Sequence, residues 1–425
     1  MQNGMEIRSK ERFFYGWYIL IGSFIILFFN AGAVFSIGVM FKPMINDFGW
    51  SRGTFTIAYF VYMAVYAISL LLAGKAYDRC GPKWVIATSS ILLSGGFMGI
   101  SFVTAFWQYI TLYGVVAAAG LGGTTLPIFG AIISKWFEKY RGLAMSLAFA
   151  GAGVGQFVIV PLITSLVQVH GWRTSFFLMG LGMMVVNLLL AFLVIKGNPD
   201  DLGYAPLGTT ESETRAPREG QRVGTIETSE DLGLLEAMRT SSFWFFTVVM
   251  VICGSGDFFV SMHLVPFVTD HGISPTGAGN MLAWLGLMSL VGVLLAGPAA
   301  DLVGSRIPIA LTFLMRVILF LIIINYKNVV SFNVFTFGFG FTLSITAPIT
   351  TMLVGRMFGF SNVGLMTGFI ATVHHLSGGA WAYMGGLFFD RTGNYQSIFT
   401  ISAIMAGIAL LCSLFIKERR HKKRP

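Results

Sequence analysis

Residues 136–155 read W-F-E-K-Y-R-G-L-A-M-S-L-A-F-A-G-A-G-V-G. A charged knot, Glu138, Lys139 and Arg141, runs directly into an apolar stretch studded with small residues. From Gly142 to Gly155 nine of the fourteen positions are Gly, Ala or Ser, so a neighbouring helix can approach closely, as helices in a membrane do. The rest of the chain agrees with that setting. Of 425 residues, 55% are hydrophobic and 11% charged, and mean hydropathy is +0.75. A soluble domain carries roughly a quarter charged residues. Apolar runs of about 20 residues, the length that crosses a hydrocarbon core of about 30 Å, recur along the whole sequence. They predict an all-α polytopic membrane protein with twelve spans, near 15–41, 53–75, 84–105, 108–134, 141–167, 172–195, 242–268, 276–300, 307–326, 329–355, 362–388 and 395–416.

The net charge of +9 has a one-sided distribution. With both ends of the chain in the cytoplasm, five of the 28 Lys/Arg fall outside (Lys42, Arg52, Arg173, Lys327, Arg391), Arg316 falls within a span, and the other 22 lie inside. This is the positive-inside bias. The basicity therefore reports topology in a lipid bilayer, and no nucleic-acid partner is expected. Cys80, Cys253 and Cys412 have neither metal-ligand spacing nor a disulfide pattern. Arg8, Lys10 and Arg12 precede an apolar run too long for a cleaved signal, so the first span is expected to be retained. No N-x-S/T sequon occurs, which favours a bacterial inner membrane.

Residues 196–240 are rich in Glu, Arg, Thr, Gly and Pro and lack apolar periodicity, so they read as a cytoplasmic linker between bundles 1–195 and 241–425. The two bundles repeat. Pro43, Gly49, Ser51, Gly74, Asp78, Gly81 and Lys83 recur 223 residues on as Pro266, Gly272, Ser274, Gly297, Asp301, Gly304 and Arg306. Gly142 and Gly171 recur 222 on as Gly364 and Gly393, and Pro127 and Lys135 recur 221 on as Pro348 and Arg356. So steady an offset is the mark of duplication. Two duplicated six-helix halves are a transporter architecture, with the substrate site near the midplane.

Several motifs carry a family likeness. R-G-L-A-x-x-x-A-x-A-G-x-G-x-G from Arg141 resembles the start of the fifth helix in monocarboxylate transporters of the major facilitator superfamily. G-K-A-Y-D-R-C-G-P-K-W from Gly74 resembles that superfamily's signature between helices two and three. Y-G-W-Y-I-L-I-G-S-F at Tyr15 and H-G-W-R-T-S-F-F at His170 are similar to monocarboxylate transporters and to bacterial anion exchangers. The resemblance implies two pseudo-symmetric bundles, transport by alternating access, no cofactor and a monomeric functional unit. It also implies that Asp78, Arg79 and Asp301, by the repeat, latch the cytoplasmic side. The sequence departs from those relatives where they bind carboxylate. Phe35 stands where animal members carry a first-helix lysine, and Met281–Gly297 contains no charge where they carry an Asp–Arg pair.

Asp257 is the sharpest chemical signal. It sits mid-span in C-G-S-G-D-F-F, where a carboxylate costs about 3 kcal/mol to insert, and its repeat mate is Val34. It is read as the proton-coupling group; the bland alternative is a buried ion pair. His374 and His375 lie mid-span too. Adjacent helical side chains point about 100° apart, so the pair cannot chelate one ion, and no metal is expected. One could carry a proton or bind a carboxylate. Arg316 is read as structural, with Asp257 as one partner to test. Asn30, Tyr66 and Gln156 are candidate neutral contacts for a carboxylate, with Phe35 and Phe258 as apolar walls. The stripe Tyr59, Tyr62, Tyr66 is more often packing than ligand contact. The function expected is proton-coupled symport of a small monocarboxylate such as lactate or pyruvate; the alternative is carboxylate exchange of the oxalate/formate type. A membrane enzyme lacks support, since H-E-x-x-H, G-x-S-x-G and a phosphate loop are all missing.

Overall fold

Gly81 and Gly171 decide how the helices are counted. Two continuous helical runs, Arg52–Ile100 and Arg141–Leu193, are too long for single spans, and each bends at a glycine with φ near +77°. Only glycine takes that conformation cheaply, so each run is two helices meeting at a corner. The computed structural model describes residues 14–208, 232–359 and 362–417, with only the backbone of Asp200. Arg8, Lys10 and Arg12, the middle of the expected linker and the basic tail beyond 417 lie outside the described residues.

Among the described residues, nine helical runs are long and apolar enough to cross a membrane. Splitting the two bent ones and adding the less apolar Val363–Thr392 gives twelve. They are α1 Gly16–Phe48, α2 52–80, α3 82–100, α4 Phe106–Trp136, α5 141–170, α6 172–193, α7 Ser241–Asp270, α8 Pro275–Val303, α9 Arg306–Asn325, α10 Val329–Phe358, α11 Val363–Thr392 and α12 Gln396–Phe415. The first helix outruns its expected end at 41 by a full turn and more. Hydropathy stops at Lys42, whereas the backbone ladder continues to Gly49, left-handed at φ +67°. Among the described residues the only β-pairing is an isolated bridge, Phe137 to Leu207, by which residues after α6 fold back onto the α4–α5 corner.

Duplication is visible in the backbone. The repeat-paired glycines Gly49 and Gly272, Gly81 and Gly304, and Gly171 and Gly393 all have positive φ. Ser51 and Ser274 both cap the helix that follows, accepting from Thr54 N and Gly277 N. The two halves meet along two main seams, α2 with α11 and α5 with α8, which are repeat mates, and the end of α1 also packs on α7. At Gly386 a Cβ would press on Thr56 Oγ1; at Gly279 it would press on Thr164 Oγ1, and these positions correspond at offsets of 222 and 223.

The seams run from the end remote from the linker to mid-bundle. Along α2/α11 contacts extend from Gly53–Asp390 to Tyr66–His375, and along α5/α8 from Gln168–Thr276 to Gly153–Leu290. Toward the linker end Leu71, Leu72, Leu147, Leu294, Leu295 and Leu365 are exposed. The halves are closed at the far end and apart at the linker end.

Candidate functional site

Asp257 lies in the middle of α7 with its two oxygens facing different partners. Oδ1 is 2.5 Å from Arg316 Nη2, an ion pair without hydrogen-bond alignment. Oδ2 is 3.3 Å from His374 Nε2 and accepts from Cys253 Sγ at 3.3 Å. Cys253 shares the face of Asp257 because residues i and i+4 of a helix are neighbours. Arg316, on α9, is 1% exposed and tied on every side. Its Nε donates to Thr342 Oγ1 (3.2 Å), Nη2 to the Thr342 carbonyl (2.9 Å) and Nη1 to the Cys253 carbonyl (3.4 Å). The guanidinium also sits 4.7 Å over the Phe339 ring. α10 breaks at Ser344–Ile345, two residues past Thr342, which frees backbone carbonyls for such donors.

His374 is the member of the group that reaches outward, with a side chain 16% exposed against 8% for Asp257. A carboxylate only accepts, so Nε2 carries the hydrogen toward Oδ2 and Nδ1 is the nitrogen left to take up a proton. His375 points elsewhere, as its neighbouring position requires. Its Nδ1 donates to the Ala371 carbonyl at 2.6 Å, and its ring meets Tyr66 of α2 edge-on at 4.8 Å. Phe258 stands 5.4 Å from both imidazoles and 6.4 Å from Tyr59. The fold therefore brings Tyr66, Phe258, His374, His375 and Asp257 together at the mid-bundle end of the α2/α11 seam. Phe35 packs from α1 against the core of the second half.

Other expected residues have protein partners of their own. Asn30 accepts from Asn187 Nδ2 at 2.8 Å inside the first half. Gln156 donates to the Leu282 carbonyl at 2.8 Å across the α5/α8 seam. Tyr62 stacks on Tyr113 at 4.6 Å and belongs to the first half's core. Asp78 and Arg79 are exposed at the linker end, and Asp301 lies 3.5 Å from Arg356.

A second charged cluster, at the far end, had no place in the sequence reading. Asp270, ending α7, binds Lys42 (2.6 Å) and Arg52 (2.8 Å) of the other half. Asp390, from α11, accepts from the backbone N–H of Arg52 (2.9 Å) and Gly53 (2.7 Å), so it caps α2 from across the seam. Arg52 also stacks on Phe389 at 3.5 Å and donates to Tyr395 Oη at 2.8 Å. The Tyr395 hydroxyl can donate to His263 Nδ1, 2.8 Å away. His263 Nε2 in turn donates to the Ala382 carbonyl at 2.7 Å. The i, i+4 spacing of Cys253 and Asp257 could have signalled the first cluster. The partners of Arg52 lie 218 to 343 residues away, and no local pattern pointed to them.

The family model described as Major Facilitator Superfamily matches residues 23–269 and 244–425. The chain belongs to the Major Facilitator Superfamily. It is 23% identical over 420 residues to an uncharacterised MFS-type transporter, YcxA, of Bacillus subtilis, covering 96% of this chain and 97% of that one. It is 24% identical over 405 residues to monocarboxylate transporter 13 of Rattus norvegicus, covering 94% and 89%. Among solved structures it is similar to a bacterial homologue of the human lysosomal transporter Spinster, in an inward-facing and occupied conformation. That match has a TM-score of 0.70 at 15% identity and covers 95% of each chain, a likeness of fold. The superfamily member described here is thus a multi-pass membrane transporter and not an enzyme.

Proposed function

We propose that this transporter carries small monocarboxylates of the lactate or pyruvate kind together with a proton, by alternating access. The observation that carries the reading is the charge balance around Asp257. Arg316 is permanently charged, and Asp257, 2.5 Å away, cancels it. The cluster is then neutral when His374 is neutral and gains one positive charge when His374 takes a proton. A carboxylate entering low dielectric is attracted only to the charged cluster, so anion and proton cross as a neutral pair. Asp257 serves as the counter-ion that orients His374, and His374 carries the proton. Tyr66, His375, Phe258 and Phe35 form the substrate's walls, while Asn30 and Gln156 hold the wall helices in place. The relatives named as monocarboxylate transporters support the substrate class.

In this reading the protein works as a monomer in a bacterial inner membrane, with both termini and the linker end cytoplasmic. The Asp270 and Asp390 cluster is the outer gate. Asp78, Arg79 and Asp301 form the inner latch, which engages when the linker end closes. The test is uptake of labelled L-lactate into proteoliposomes with and without an inward proton gradient, the lumen empty or loaded with lactate or oxalate. Concentrative uptake into empty vesicles, driven by the gradient alone, is expected. Uptake that needs internal anion and ignores the gradient would make the protein an exchanger.

A further inference from the structure

We propose that Cys253, Asp257 and His374 form a binding site for a soft divalent cation of the zinc class, and that its occupation blocks transport. Cys253 Sγ, an Asp257 oxygen and a His374 nitrogen all lie within 4.8 Å of one another. Oδ2 of Asp257 is 3.3 Å from both Sγ and Nε2. Zinc binds sulfur, nitrogen and oxygen at about 2.0–2.3 Å, which in a tetrahedron sets neighbouring donors about 3.3–3.7 Å apart. Two of the three donor pairs therefore already stand at bonding separation, and the third, Sγ to the imidazole nitrogen, lies within 4.8 Å, a gap that side-chain rotation can close.

The donor chemistry and the surroundings agree. Thiolate, imidazole and carboxylate are all zinc ligands, and the thiolate selects soft ions over magnesium or calcium. Arg316 engages only Oδ1, leaving Oδ2 to the metal, and so supplies the outer partner that a ligating carboxylate needs. Its Nη1 is also 3.8 Å from Sγ, so a fixed positive charge faces the thiol that must lose its proton on binding. Thr346 Oγ1, 3.3 Å from Sγ, marks the side where a fourth ligand or water would enter.

Charge explains the block. A dication with one thiolate, one carboxylate and the Arg316 guanidinium leaves the cluster at +1. That is the charge the same cluster carries when His374 is protonated. The metal thus imitates the proton-loaded state with an ion that His374 cannot release on each cycle. The binding site stands whatever the substrate is; the block rests on the transport reading above.

The experiment uses the full-length protein in detergent with Cys80→Ser and Cys412→Ser, which leaves Cys253 the sole thiol. Co²⁺ alone is titrated and followed by its sulfur-to-cobalt charge-transfer band and its tetrahedral visible bands. One saturable equivalent, displaced by Zn²⁺, is expected, with affinity at least tenfold weaker in Cys253→Ser and in His374→Gln. Thermal unfolding of each variant, with and without Zn²⁺, separates lost binding from lost fold: the parent is stabilised by the ion and a folded variant is not. No thiolate–cobalt band, or a band unchanged in both variants, overturns the site. In proteoliposomes Zn²⁺ should lower uptake at least tenfold; metal binding without inhibition overturns the block and leaves the site. Because the cobalt spectrum needs no substrate, it is read even if lactate proves to be the wrong cargo.

Discussion

The two halves share a backbone and differ in what their cores contain. Where the second half has Asp257, Arg316 and His374, the duplication places Val34, Leu93 and Ala152 in the first. Leu93 is fully buried, and the first half's interior carries the neutral pair Asn30–Asn187 in place of charges at these positions. Duplication supplied the packing, and substitution in one copy supplied the charge. A buried ion pair is weak evidence for stability, because a well-packed apolar core does as well or better. The Val/Leu version in the first half shows that this fold does not need the charges, which argues that the second half keeps them for work.

Removing the charges from the second half tests this most severely. Asp257→Asn leaves the Arg316 guanidinium buried without its counter-ion, and removing one partner of a buried pair costs about 3–5 kcal/mol. It should lower thermal stability sharply and reduce lactate uptake by roughly 100-fold or more, a loss of about 3 kcal/mol. Asp257→Val with Arg316→Leu should recover most of the stability in a thermal melt and none of the uptake. If the double variant transports, the charges are structural and the comparison fails.

The seams offer a milder contrast. Asp390, in the α2/α11 seam, and Gln168, in the α5/α8 seam, are repeat mates that reach the same kind of partner, the start of the helix opposite. Asp390 is an anion on two backbone N–H groups; Gln168 meets Thr276 Oγ1 at 3.0 Å. Trans-seam capping of this kind contributes about 1 kcal/mol, or about fivefold in a gating equilibrium. Asp390→Asn should therefore raise labelling of a far-end Thr56→Cys by an impermeant maleimide several-fold. Gln168→Leu should leave that labelling within twofold. Equal effects would mean that charge does not distinguish the seams.

Much of this was open to sequence reasoning, for identifiable reasons. Helices are local objects, so apolar runs located all twelve, with Gly81 and Gly171 falling in the gaps between expected spans. Asp257 and Arg316 stood out because a charge in an apolar run is costly wherever its partner lies. What stayed hidden was pairing at the helix ends. Lys42, Arg52, Asp270 and Asp390 look like ordinary interfacial charges, and only the closure of the far end brings them together. Helix ends also ran past the hydropathy limits, since polar residues such as Lys42 continue a backbone ladder without adding to apolar length.

The smallest expected effect concerns the first half's own polar pair. Asn30 was expected to contact substrate, yet its Oδ1 accepts from Asn187 Nδ2 within the bundle. If the pair is packing, removing one member strands a buried amide and costs about 1–3 kcal/mol, whereas replacing both with apolar groups is close to neutral. Asn187→Leu alone should lower the melting temperature by a few degrees. Asn30→Leu with Asn187→Leu should recover most of that loss, with lactate KM and maximal uptake both within about twofold of the parent. A tenfold rise in KM in the double variant, at unchanged stability, would return Asn30 to the substrate's side. The first half would then contribute a polar ligand contact beside the Tyr66 and Phe35 walls, and the difference between the halves would narrow to the charged residues alone.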